Sequence, residues 1–370
     1  MEKRKILSNS TKMTFLSILF GLIITAIILF IAGYNPLQVY YVIVKGVFSK
    51  PKYISYTIIK STPLILTGLS VAFAFKTGLF NIGAEGQFII GTIVASLLGY
   101  FLKLPYIIHP IVIILFASLA GGVWGAIAGY LKARFGINEV ISTIMLNWIA
   151  LYAHNAVINI PAFLARTNKA HPIRETASIV FMEGFKKSES GKEWLMDHPQ
   201  IRDILKTPLN YGFIIAIIVA VIVWYVLNKT TLGFRLRAVG SNKFAAEYGG
   251  INVKKSIVTS MGISGCISGM AGALMILGVS KGITTLAATE GYGFDGIAVA
   301  LIGSNSPIAC IFSGLFFGTL KYGGSKIQSP PIGAPTEVIN IMIGTIIFFI
   351  AIPRIIYLYR RFKTKKEVIE

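Results

Sequence analysis

The chain has 370 residues, 54% hydrophobic and only 14% charged, with 35 Lys and Arg against 15 Asp and Glu for a formal charge of +20. A soluble domain carries roughly 25% charged residues, so this composition and a mean hydropathy of +0.71 exclude an ordinary water-soluble enzyme and place the chain in a bilayer. The basic surplus beside apolar runs is a topology signal rather than a nucleic-acid footprint.

In chain order, runs free of charge fall at 14–33, 61–75, 86–102, 104–131, 140–165, 207–228, 256–280 and 296–320, with a shorter one at 338–353. A helical span needs about 20 mostly apolar residues. The second run therefore extends back to residue 53 by admitting Lys60, and the last extends past Arg354 to 357. The first run follows Lys3, Arg4, Lys5 and Lys12 as a signal peptide does, yet it is of spanning length and lacks a small-x-small cleavage site, so it reads as a retained helix.

Lys132 and Arg134, six basic residues between 229 and 255, and six from Arg354 to Lys366 put both termini on the cytoplasmic side, which requires an even number of crossings. The run at 296–320 is interrupted by Gly303-Ser304-Asn305-Ser306-Pro307, a turn-forming cluster whose Pro lacks a helix donor. Splitting it there makes ten crossings out of nine runs. The expected fold is an all-α polytopic membrane protein of about ten helices in two five-helix halves. A cytoplasmic tail covers 1–13, helices 1–5 cover 14–160, and an extracytoplasmic insert covers 161–208. Helices 6–10 cover 209–358 with a cytoplasmic loop at 229–256, and a second tail covers 359–370. Lys45, Lys50, Lys52 and Lys60 fall outside on this map, against the charge rule.

The insert is the one soluble-looking stretch, mixing both charge signs with Trp194; it reads as a pore cap, a partner contact or a solvated loop with a short helix. Cys266 and Cys310 lie within expected spans and behave as small apolar side chains. His109, His154, His171 and His198 stand singly, without metal-ligand spacing, and read as surface or interfacial residues. Glycines at helical spacing, Gly121, Gly125 and Gly129, Gly265 and Gly269, and Gly314 and Gly318, predict close helix packing.

Polar residues inside the spans are the functional candidates. Phe80-Asn81-Ile82-Gly83-Ala84-Glu85-Gly86-Gln87 places a carboxylate and two amides where a helix should start, and a carboxylate at membrane depth is costly. Asn147 and Trp148 put an amide and an indole inside the fifth span, and Phe294-Asp295 opens the eighth. The breaks at 78–81 and 292–295 occupy the same ordinal place in the two halves, as do pathway-lining breaks in repeat-built transporters. Asn81, Glu85, Gln87, Asn147, Trp148, Phe294 and Asp295 are accordingly the translocation-pathway candidates, with Glu85 and Asp295 also able to hold helix breaks in shape.

Within the loop at 229–256, Asn242 can cap a helix over 243–248 that Gly249-Gly250 ends. Ala245 and Ala246 leave a low surface for another protein. The pattern Gly240-x-Asn242-x-x-Ala245-Ala246-x-x-x-Gly250-Ile251, with 80–87, 143–150 and 293–301, resembles the permease subunits of bacterial ABC importers for simple sugars and nucleosides, most closely the nucleoside branch. The resemblance covers about residues 62–354 apart from the insert.

That resemblance implies a type II importer permease in which Gly240, Asn242, Ala245, Ala246, Gly250 and Ile251 couple to an ABC ATP-binding subunit. It also implies a second permease subunit, an extracytoplasmic substrate-binding lipoprotein and a nucleoside substrate. No phosphate loop is present, since Gly191-Lys192 is followed by Glu193, so the expected chain is a transport subunit rather than an enzyme. It binds no cofactor of its own, with ATP and Mg on the partner. Ser304 and Ile308-Ala309 depart from the family pattern, as does the long charged insert. The alternatives are a simple-sugar permease or an ion-coupled carrier using Glu85 and Asp295; a membrane enzyme lacks a grouped reaction centre.

Overall fold

A computed structural model describes residues 2–330, 332–335 and 337–349, with side chains from residue 17 onward. The expected tail at 359–370 and the end of the last span lie outside the described residues. The chain divides into two compact units, Met1–Ser49 with Thr319–Glu370, and Lys50–Gly318.

The first unit opens with α1 (Glu2–Ile31) and α2 (Pro36–Phe48), which meet at a bend of 119°. The bend is written locally. Asn35 accepts hydrogen bonds from the Leu37 and Gln38 amides at 3.1 and 3.3 Å, and Pro36 supplies a helix-ready first residue. Residues 34–52, expected as an external loop, are therefore mostly helical, and Lys45 lies in the last turn of α2, where a cation suits the carbonyl end. The Tyr40 hydroxyl reaches back to the Leu22 carbonyl at 2.6 Å. Further along the chain this unit holds a 3-10 turn at Ser325–Gln328 and an apolar helix at Glu337–Phe349.

The second unit carries α3 (Pro51–Phe75), α4 (Ala84–Phe101), α5 (Ile108–Phe135) and α6 (Glu139–Ile158). The insert follows, with a short β hairpin (Leu164–Arg166 and Lys169–Ala170), a 3-10 turn (Glu175–Ala177) and small helices α7 (Glu183–Lys187), α8 (Glu189–Asp197) and α9 (Pro199–Leu205). Then come α10 (Gly212–Lys229), α11 (Thr231–Ser241), α12 (Lys243–Tyr248), α13 (Val253–Met275), α14 (Tyr292–Ile302) and α15 (Pro307–Gly324), the last of which runs past the division at Gly318.

Six helices among the described residues are long and apolar enough to cross a membrane, and the α1–α2 pair makes a seventh if taken as one broken span. The fold is that of an all-α polytopic membrane protein. The break at 303–306 falls where the Gly-Ser-Asn-Ser-Pro cluster predicts it. Its first piece, α14, has 11 residues, so it is about 16 Å long and reaches only about halfway through a hydrocarbon core.

α13 is the hub, packing on α5, α4 and α3. Glycine makes the α5 contact possible: a Cβ at Gly121 would stand 2.5 Å from the Gly265 carbonyl oxygen and 2.7 Å from Gly269 Cα. Where lipid supplies no hydrophobic drive, such backbone approach is what joins helices.

The insert is anchored rather than loosely solvated. The Arg174 guanidinium donates to the Tyr100 carbonyl at 2.9 Å, and Tyr100 stacks on His171 with centroids 4.8 Å apart. Lys281, just past a π-helical turn at Ile276–Ser280, binds Glu183 at 3.2 Å and the Ser178 hydroxyl. Lys187 pairs with Glu175 at 2.6 Å, and that contact raises its ammonium above the ordinary range. Two histidines expected at the surface or at an interface are buried. His109 bonds Thr176 through Nδ1 at 2.8 Å, and His154 bonds the Thr284 carbonyl through Nε2 at 3.0 Å. Each faces a loop or insert that the linear sequence does not place beside it.

Candidate functional site

Residues 77–83 leave α3 without forming helix and run beside the first half of α13. Thr77 meets Ser260 at 2.8 Å, Asn81 meets Ser264 at 2.7 Å, and the Ser268 hydroxyl donates to the Ala84 carbonyl at 2.6 Å. At 1.5 Å per residue, Ser268 is about 22 Å along the helix from Val253, so α4 begins partway along α13 rather than beside its start. The unwound backbone needs polar company, and α13 supplies it.

Asn81 and Gln87 exchange amide hydrogen bonds at 2.9 and 3.1 Å, and Ser264 also exchanges bonds with Ser70 of α3 at 2.7 Å. All four side chains are buried or part of a buried pair, which is tolerable in a low-dielectric interior because they satisfy one another.

Glu85, with 0% exposure, lies in the first turn of α4, but both its oxygens cap a different helix. They accept from the Gly291 amide at 2.8 Å and the Gly293 amide at 2.5 Å, where α14 begins. Gly293 is required there because a Cβ would stand 2.5 Å from Glu85 Cα. Asn147 of α6 does the same service for α4, accepting from the Gly86 amide at 2.8 Å and donating to the Ile82 carbonyl at 3.1 Å. The Thr67 hydroxyl lies 2.9 Å from the Tyr292 carbonyl. Two helix starts from distant parts of the chain are thereby joined end to end, each with free amides satisfied by a neighbour's side chain.

Of the expected pathway residues, Asn81, Glu85, Gln87 and Asn147 are brought together in this junction. Phe294 and Asp295 follow Gly293 directly, with Phe294 43% exposed and Asp295 half-buried. Trp148 is not in the cluster; it is 52% exposed on α6 and stacks near Tyr152 with centroids 6.3 Å apart. The serine partners were missed in the sequence, although Ser256, Ser260, Ser264 and Ser268 recur every four residues on one face of α13 and are all buried. Asn155 was missed as well. Its side-chain amide brackets Leu286, accepting from the backbone N–H and donating to the carbonyl at 2.9 Å each, and so ties the extended segment 282–291 to α6.

The second cluster is the loop between α10 and α13. Its helix spans Lys243–Tyr248 as the sequence predicts, with the Asn242 side chain accepting from the Phe244 and Ala245 amides at 3.0 and 3.1 Å. Gly249 closes it, and Gly250 turns away at φ +79. Phe244 is 71% and Tyr248 98% exposed, Ala245 is exposed, and Ala246 is buried beneath. Ile251 is half-buried, its amide donating to the Ala246 carbonyl at 2.9 Å. α11, which precedes this helix, was not expected from the sequence. It brings Gly240 against the start of the unwound segment: a Cβ there would meet the Lys76 carbonyl and stand 3.0 Å from the Gly78 amide nitrogen. Gly240 therefore touches the 76–83 turn itself.

A family model described as the permease component of branched-chain amino acid transport systems matches residues 53–351. A guanosine ABC transporter permease protein of Bacillus subtilis is 42% identical, the match covering 91% of this chain and 91% of that one. A nucleoside ABC transporter permease protein of Lactococcus lactis is 36% identical over 92% of this chain and 90% of the relative. A glucose ABC transporter permease protein of Haloferax volcanii is 28% identical over 93% and 88%. No solved structure matches the chain.

Proposed function

Since this chain belongs to the branched-chain amino acid transport system permease family of ABC transporters, we propose that it forms one half of the translocation pathway of an ABC importer for nucleosides. The observation that carries this reading is the contact of Gly240 with the Lys76–Gly78 turn, because it joins an exposed docking helix to the broken crossing that holds α14. The two relatives with the higher identities are named for guanosine and nucleosides, which favours a nucleoside over a sugar. The glucose permease keeps a simple sugar as the second reading.

In this proposal Gly240, Asn242, Ala245, Ala246, Gly250 and Ile251 form the coupling segment. Phe244 and Tyr248 enter a groove of an ATP-binding subunit, which holds ATP and Mg; this chain has no ATPase site of its own. A second permease subunit completes the pathway, and a substrate-binding lipoprotein delivers the solute from outside. Both termini are cytoplasmic. Each half contributes five crossings, and in each the third is part extended and part helix: 77–83 with α4, and 282–291 with α14.

ATP closes the partner dimer and shifts the population between two states of the junction. The shift reaches it through α12, α11 and the Gly240–Gly78 contact. Asn81, Glu85, Gln87, Asn147, Phe294 and Asp295 line or shape the route, with Glu85 and Asn147 holding helix starts in place. A nucleoside is uncharged and rich in donors and acceptors, which suits a route of amides and hydroxyls with few fixed charges.

Uptake of labelled inosine by cells expressing the chain with its partner genes tests the reading, with ion gradients collapsed by an uncoupler and ATP maintained by glycolysis. Continued uptake is expected. Uptake that disappears with the gradients moves the energy source to ions and removes the coupling assignment.

A further inference from the structure

A cavity of about 150 Å³ lies where the extended segment 282–291 passes between α4, α6 and the π turn after α13. Phe88 and Thr92 of α4 and His154 of α6 form its inner wall, and both sequence halves contribute to it. The exposed Lys169 of the insert hairpin and the exposed Glu290 lie on its rim. Glu290 immediately precedes Gly291, whose amide is held by Glu85. An occupant therefore sits one residue from the junction without sharing any group with the Asn81–Gln87 network.

We propose that this cavity receives the base of an incoming nucleoside before the junction opens. The inference rests on the nucleoside reading above and adds a place and a recognition chemistry to it. A cavity of this volume matches one known to bind benzene, so it takes one ring of a base and leaves the rest of the base at the rim and the ribose outside. The Phe88 ring, packed on Tyr292 with centroids 5.2 Å apart, gives the inner wall an aromatic character that a sugar does not exploit.

The polar groups add an edge code. A lysine ammonium only donates and a carboxylate only accepts. Lys169 and Glu290 thus match a neutral heterocycle that carries a carbonyl next to an N–H, as oxopurines do. His154 completes the code. Its Nε2–H donates to the Thr284 carbonyl at 3.0 Å, which leaves Nδ1 as an acceptor, and that nitrogen is buried without a hydrogen-bond partner in a side chain only 3% exposed. A buried acceptor without a partner is a costly feature, and a small turn of the ring toward the cavity lets a ligand donor relieve it.

Cysteine protection in de-energised membranes carrying the whole transporter tests this. Thr284→Cys places a thiol on the exposed rim, and its labelling by a water-soluble maleimide is followed with and without inosine, hypoxanthine or ribose. Inosine and hypoxanthine are expected to slow labelling at least fivefold while ribose leaves it unchanged, and Glu290→Gln is expected to raise the protecting concentration about tenfold. Equal protection by ribose, or none by inosine at concentrations that saturate uptake, overturns the proposal. Gly282→Cys, where an added Cβ meets nothing closer than 3.5 Å, reports on the same cavity should Thr284→Cys fail to assemble. Absence of inosine uptake by the unmodified transporter strikes the nucleoside reading itself, whereas normal uptake without protection strikes only the cavity.

Discussion

The junction of α4 with α14 and the exposed helix α12 solve the same problem, satisfying the free amides of a helix start, with partners at opposite ranges. α12 is capped by the residue just before it, Asn242, at separations of two and three residues. α14 is capped by Glu85 across 206 and 208 residues, and α4 by Asn147 across 61. The local cap leaves α12 exposed and self-contained. The distant caps tie α14, α4 and α6 together, so none of them can shift without the others' amides losing their acceptors.

The comparison can be broken first at Glu85. Glu85→Ala leaves the Gly291 and Gly293 amides without their acceptor, and with hydrogen bonds to charged groups at about 1.5–3 kcal/mol each it should cost about 3–6 kcal/mol, read as a fall in thermal stability of the detergent-solubilised transporter. Glu85→Gln keeps one acceptor oxygen and should recover part of that loss. Asn147→Leu is next, with an expected cost of about 1–3 kcal/mol from the unpaired Gly86 amide, measured the same way.

Gly240→Ala sits between the two regions. Overpacking of about 1–3 kcal/mol at the Lys76 carbonyl should cut uptake at least tenfold while ATP hydrolysis by the complex continues; parallel loss of both would place Gly240 in ATPase docking instead. Asn242→Ala should cost only about 1 kcal/mol and lower uptake a few-fold, because its cap serves α12 alone.

The insert gives the mildest test. Burial alone would raise the Glu183 carboxyl, but the Ser178 hydroxyl and the Lys281 ammonium outweigh it and hold it below the ordinary range. A lowered carboxyl contributes its stability above the ordinary value near 4.3 and loses it as pH falls through the folded value. Acidification below about pH 4 should therefore open the insert to limited proteolysis while α4–α14 remains protected.

These ranges also explain what the sequence discloses. Asn242, the 243–248 helix and the Gly249-Gly250 stop are written within nine residues, and that helix is where the pattern puts it. The break at 303–306 and the glycine face of α5 are legible for the same reason. The α1–α2 bend is equally local, yet α2 carries Lys45 and is too short to form an uncharged run of spanning length. Asn81, Glu85, Gln87 and Asn147 stand out as polar groups in apolar runs, but their chain neighbours do not disclose that Glu85 caps residue 291 or that Asn147 caps residue 86. The buried histidines mislead in the same way, since the carbonyl His154 serves lies 130 residues away.

The meeting of α4 and α14 has an electrical consequence. Each amino-terminal helix end carries roughly half a positive charge, and two such ends meet at the Glu85 carboxyl, whose oxygens accept from the Gly291 and Gly293 amides. Asp295 in the first turn of α14 and Glu290 just before Gly291 add acidic groups that two half-charges do not cancel. Displacing one net charge across a membrane at 100 mV involves about 2.3 kcal/mol, so any motion of this junction along the membrane normal should run at different rates in polarised and depolarised cells.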